Sequence, residues 1–152
     1  MISASRADIL SPEAQALIGD LNAELTLQYP EEEARHFRLD ADEVAEGRGA
    51  FVIVRRDGTP IACGAVRRID EATGELKRMF VRQEARGQGV GRILLDALEG
   101  EARKLGMTRL VLETGTRQKP AIALYERTGF THIPPFGEYV KSPFSVCMAK
   151  DL

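Results

Sequence analysis

The stretch ELKRMFVRQEARGQGVGRILLDALEGEARKL, residues 75–105, decides the fold. Glu75 to Val81 reads as a strand that ends on a β-branched residue. Arg86-Gly87-Gln88-Gly89-Val90-Gly91-Arg92 follows, and its three glycines strip the turn of side chains. From about Gly89 to Leu105 the periodicity becomes helical. Ile93, Leu94, Ala97, Leu98, Ala102 and Leu105 share one face, and Asp96, Glu99, Arg103 and Lys104 are expected to face water. Gly106 supplies the C-cap. Gly100 falls inside this helix at a cost of roughly 1 kcal/mol against alanine.

A strand that enters a bare turn and leaves as a helix is a site for an anion. The first N–H groups of a helix lack internal partners, and the dipole adds about half a positive charge there. A phosphate or diphosphate can be held on such amides without a lysine, with Arg86 and Arg92 adding charge-assisted bonds. The spacing discriminates among phosphate loops. No GxxxxGK[ST] string occurs. Counted from Gly87, the third position of a dinucleotide fingerprint falls on Arg92.

Working outward, strands dominate upstream. Phe51 to Val54 is a compact strand, Asp57-Gly58 a hairpin turn, and Ile61 to Ile69 the return strand. Gly74 closes a second turn into residues 75–81. Further upstream, Ser11 and Pro12 open a helix whose apolar stripe is Ala14, Leu17, Ile18, Leu21 and Leu25. Tyr29-Pro30 ends it. Glu31 to Arg38 is expected as a short charged helix, and Asp40 caps another turn. Downstream, Arg109 to Glu113 is a strand. Pro120 begins a helix over Ala121 to Arg127, and Phe130 to Ile133 and Ser145 to Ala149 are closing strands. Helices, a meander, then β-α-β-α-β-β predict an α/β (α+β) fold, with one mixed sheet covered by helices.

The 152 residues suit a single domain spanning 1–152. Net charge is −2, so nothing points to nucleic acid. No apolar run is long enough for a membrane span. MISASRADIL lacks a secretory pattern. Cys63 and Cys147 lie far apart in apolar strands, which predicts two reduced thiols and a cytoplasmic protein. No metal-ligand cluster is visible, so no metal is expected. Residues 1–50 hold eleven acids against four arginines, whereas residues 75–92 hold five bases against two acids. Two ligands of opposite sign, a cationic acceptor among them, are consistent with that division.

Arg86-x-x-Gly89-x-Gly91 resembles the pyrophosphate loop of the GNAT acyltransferase superfamily. The likeness extends over residues 50–130. Leu110-Val111-Leu112-Glu113 is similar to the strand that splays from the central strand. Ala121 to Phe130, with Tyr125 and a Gly129-Phe130 ending, is similar to the second signature helix. Gln118 stands where the family often carries asparagine. The resemblance implies a twisted sheet of six to seven strands, and acetyl-CoA as co-substrate, without a metal. It also implies N-acetylation of a primary amine on a small molecule or peptide, by direct transfer in a ternary complex. A homodimer is a further option by analogy. A non-catalytic acyl-CoA sensor would share the same glycine turn.

The resemblance assigns the cofactor-binding positions to Met79, Phe80, Val81, Arg86, Gly87, Gln88, Gly89, Val90, Gly91, Arg92, Gln118 and Tyr125. It implies a bulge on the central strand that frees an N–H for the thioester carbonyl. Tyr125 is the candidate acid for the departing thiolate, and Glu75 the leading candidate base. His36 and Glu113 are rival bases, and His132 reads as structural. Tyr29, Glu33 and His36, with Glu31, Glu32, Phe136 and Tyr139, are expected to border the acceptor pocket.

Overall fold

A computed structural model gives the fold and describes residues 1–31 and 39–152. The expected charged helix over 31–38 falls almost wholly outside the described residues. The described elements are β1 (Ile2–Arg6), α1 (Pro12–Gln28), β2 (Gly49–Arg56), β3 (Thr59–Arg68), β4 (Thr73–Val81), α2 (Val90–Lys104), β5 (Arg109–Gly115), α3 (Lys119–Arg127), β6 (Thr131–Ile133) and β7 (Ser145–Asp151). Short 3-10 turns sit at Ala41–Val44, Gln83–Ala85 and Gly137–Tyr139.

Seven strands form one sheet in the order β1-β2-β3-β4-β5-β7-β6. Neighbours are antiparallel except β4 and β5, which run parallel because α2 carries the chain back across the sheet. β1 was not expected from the sequence. It is an edge strand with mostly exposed side chains, and its polar residues give no apolar run.

Two apolar clusters sandwich the sheet. Leu94, Leu95, Leu98 and Ala102 of α2 pack on Val52, Val54, Ala62, Val66 and Leu76, and Tyr125 and Phe130 join the same cluster. On the other face Ala14, Leu17 and Leu21 of α1 cover Phe51, Ile53, Cys63, Ala65 and Phe80. The alternation of side chains along each strand divides the residues between the two faces. Ser11 caps α1, its hydroxyl accepting the Ala14 N–H at 3.2 Å. Glu99 corrects the expected helix pattern: it is buried, with Lys150 Nζ 3.0 Å from its carboxylate. Cys63 and Cys147 are free, buried thiols. Among the described residues, no helix is long and apolar enough to cross a membrane.

Candidate active site

The site begins where the sheet comes apart. β4 and β5 pair at Thr73–Arg109, Gly74–Leu110, Glu75–Val111 and Leu76–Leu112, and the ladder ends there. Beyond that point β4 stays with β3, pairing Phe80 with Cys63 and Val81 with Ala62. β5 stays with β7 through Gly115. The two half-sheets diverge and leave a cleft. Leu76, Lys77, Arg78 and Met79 line it from β4, and Leu112, Glu113, Thr114 and Gly115 from β5.

A bulge shapes the β4 wall. Cys63 faces Phe80 and Ala65 faces Lys77, so two steps on β3 span three on β4. The extra residue falls at Arg78 and Met79, and Arg78 takes φ 59°. A non-glycine residue in that region is strained by about 1 kcal/mol or more, so the surrounding packing must hold it. Gly64 makes the bulge possible. A Cβ there would lie 2.9 Å from Met79 Sδ and 2.8 Å from Leu98 Cδ1. Arg78 reaches across to Asn22 of α1.

Between β4 and α2 lies the glycine turn. Gly87 and Gly89 have φ 75° and 80°, and a Cβ on either would meet nothing within 4 Å. Gly89 is the N-cap of α2, without a side-chain cap, and the first turn carries no acid. The helix therefore presents bare amides and its positive end outward, a cradle that fits a diphosphate. Gly91 packs against α3, where a Cβ would touch Leu124 Cδ2 at 3.0 Å. Arg86 is committed elsewhere. Its Nη2 donates to both Glu24 oxygens, at 2.8 and 2.9 Å, and its Nε to the Val81 carbonyl. Gln88 turns toward Arg56, and Arg92 is exposed.

Tyr125 enters from the α2 face. It is 5% exposed, stacks edge-on to Phe130 and lines the cleft. Burial, with the nearby Glu113 charge, pushes its phenol well above the ordinary tyrosine range. Gln118 also lines the cleft, its amide donating to Gln28 Oε1 at 2.5 Å.

Glu75 is placed differently from a solvent-facing base. Gly74 and Leu76 face α2, so Glu75 and Lys77 face the α1 side. Glu75 is 1% exposed. Arg67 Nη2 approaches its Oε1 at 2.7 Å, and the Tyr139 hydroxyl donates to its Oε2 at 2.7 Å. Arg67 also pairs with Glu43. Glu75 does not line the cleft, whereas Tyr139 does.

Tyr29 closes the far end. Its hydroxyl accepts the Arg117 N–H at 2.6 Å, and the Arg117 guanidinium lies 4.9 Å from its ring centroid and 5.2 Å from that of Phe144. Arg117 also makes a two-point pair with Glu31, at 2.8 and 3.0 Å. This clasp ties the end of α1 to the turn after β5. Glu33 and His36, expected beside Tyr29, lie outside the described residues. The described lining carries Lys77 and Arg78 against Glu113, while Glu32 and Glu33, two of the three acids expected to favour a cationic acceptor, lie outside the described residues. His132 pairs with Glu126 on the exposed β6 surface. Tyr139 as the partner of Glu75 and Ser145 as the donor to Glu113 (2.7 Å) were missed. Both come from the last fifty residues, where no sequence pattern links them to β4 or β5. Among the described residues, no three His, Cys, Asp or Glu side chains are grouped to hold a metal.

The architecture is that of an acyltransferase. A Klebsiella pneumoniae structure assigned to the acyl-CoA N-acyltransferases superposes with a TM-score of 0.83, at 34% identity, covering 100% of this chain and 98% of that one. A GNAT family acetyltransferase from Elizabethkingia anophelis, solved with acetyl-CoA bound, shares the fold at TM-score 0.70 and 19% identity, covering 99% and 98%. In sequence, the model of the Acetyltransferase (GNAT) family matches residues 14–130. The IAA acetyltransferase of Azospirillum brasilense is 41% identical over 152 residues, 99% of this chain and 98% of that protein. The chain belongs to the GNAT acetyltransferase family.

Proposed function

We propose that this chain moves the acetyl group of acetyl-CoA directly onto a nitrogen nucleophile, an amine of a small molecule or peptide, with both substrates bound at once. The observation that carries the reading is the cleft between β4 and β5, with a buried phenol on its wall and bare helix amides in the turn that follows β4. The amides of Gly87 to Arg92 hold the diphosphate. The pantetheine arm lies along Met79, Phe80 and Val81 as an added strand. Arg86 braces α1 against the loop. Gln88 and Val90 shape the turn, and Gln118 faces the arm.

The β4 bulge turns backbone N–H groups away from the β3 ladder, where they can polarise the thioester carbonyl. Tyr125 protonates the departing thiolate. A phenol held neutral by burial keeps its proton for that step. Glu75, which does not line the cleft, takes up the amine's proton indirectly, and Tyr29 borders the acceptor. The Azospirillum relative is named for IAA, which is consistent with a small acceptor here.

The test is free-thiol release from acetyl-CoA across amines, amino acids, polyamines and peptides, with the product identified by mass. Tyr125→Phe should leave acetyl-CoA binding within about twofold and lower kcat about 10- to 100-fold. Unchanged kcat would remove Tyr125 from the chemistry, and loss of binding alone would make it a packing residue.

A further inference from the structure

Glu75 was a natural base from its place on the central strand, yet its carboxylate is sealed from the cleft. It is 1% exposed, with Arg67 on one oxygen and the Tyr139 hydroxyl on the other. Tyr139, itself 2% exposed, bonds Glu75 and is among the residues that line the cleft, with Lys77 and Phe144. We propose that Tyr139 is a catalytic residue: its phenol oxygen receives the proton of the incoming amine while its own proton passes to Glu75 Oε2. This rests on the acetyl-transfer reading and deepens it by naming the path of the first proton.

The geometry supports each half of the exchange. The phenol donates to Glu75 over 2.7 Å, a distance across which a proton moves readily. A hydroxyl that donates its proton in one direction still offers lone pairs in others. Tyr139 is itself fixed. It closes the 3-10 turn Gly137–Tyr139, and its ring stands edge-on to Phe136 at 5.3 Å. Burial and the Glu75 charge raise its phenol far above the ordinary value, so it passes a proton on and does not rest as a phenolate.

Charged groups from several elements face this pair. From β3 Arg67 faces Glu75, and from the 3-10 turn Glu43 shares that arginine. From β4 Lys77, from β5 Glu113 and from the closing loop Glu138 act on the same cluster. Arg67 thus bridges the two carboxylates and leaves Glu75 Oε2 to the Tyr139 hydroxyl.

The step balances. An ammonium gives one proton to Tyr139 Oη, Tyr139 gives its own to Glu75, and a neutral amine remains. The amine lone pair forms the C–N bond and the C–S bond breaks. The thiolate takes a proton from Tyr125. The nitrogen's second proton restores Tyr125 as the amide forms, and Glu75 returns its proton to solvent after product leaves.

Tyr139→Phe keeps the ring and removes the path. Acetyl-CoA affinity, by titration calorimetry, should change less than twofold. kcat/KM for the amine should fall at least tenfold near pH 7, and the deficit should shrink toward pH 10, where the amine arrives neutral. Glu75→Gln should show the same pH-dependent deficit. The double variant should lose no more than either single one, since the two residues serve one path. Glu75 acts through Tyr139, so its packing role is separated by that pH dependence. Should Glu75→Gln not fold, the Tyr139→Phe profile decides alone. A wild-type rate in Tyr139→Phe, a deficit equal at every pH, or additive losses would overturn the relay while leaving acetyl transfer intact. Absence of any amine acetylation by the unaltered chain would overturn both.

Discussion

Tyr29 shows how one side chain can make a neighbouring residue obligatory. Its hydroxyl stands where a Cβ on Gly115 would be, 2.0 Å away, and its Cζ would be 2.4 Å away. Gly115 has no positive φ among the backbone exceptions, so it is required by space and not by conformation. The ring cannot simply retreat, because Arg117 holds its hydroxyl and the Arg117 guanidinium and Phe144 flank its faces and edge. Gly115→Ala should therefore cost about 1–3 kcal/mol in urea denaturation, and weaken the acceptor KM more than that of acetyl-CoA. Adding Tyr29→Leu should return most of the lost stability, since the smaller side chain vacates the spot. At this scale the sequence was partly readable. Tyr125 stood in a motif, and Tyr29 beside a helix-breaking proline. Nothing local announced the Glu75–Tyr139 bond, because 64 residues separate its ends. Glu99 misled for a similar reason. Its helical position marks it as a surface residue, and Lys150 of the last strand, with Arg103 one turn on, makes burial tolerable.

Among the elements, α2 was the most legible, since its apolar stripe, glycine entry and Gly106 exit all agree. Gly100 is the exception within it. An added Cβ there meets nothing within 4 Å, and its φ is not positive. Among the described residues, no contact within 4 Å offsets its cost. Gly100→Ala should raise stability by about 0.5–1 kcal/mol, read as a higher denaturation midpoint at unchanged slope, with kcat unaltered. A destabilised variant would mean that the position approaches something beyond the described residues. The strands were legible in place, but β2, β3, β4, β5 and β7 run two residues past the expected span at one or both ends, because polar residues such as Arg55, Arg56 and Lys150 continue ladders that their neighbours start, while Ile69 and Phe130 fall just outside β3 and β6. β1 was not legible at all. Its stability comes from pairing with β2 and not from its own composition.

For the whole molecule, order along the chain predicted a mixed sheet but could not predict that β7 inserts between β5 and β6. That insertion matters, because β7 holds β5 along its full length and so pulls it from β4. Four residue pairs join the halves. The sheet thus resembles an arch built without its keystone. A coenzyme arm seated in the gap would complete the masonry as well as react there. Hydrogen exchange should then slow on adding acetyl-CoA at the amides of residues 79–81 and 114–115. Amides of Val52 to Val54, already paired on both sides, should change little. Melting temperature should climb with ligand concentration by mass action. A cosubstrate seated there would in that sense be a lodger that props up the house, and a chain starved of it should yield sooner to a protease.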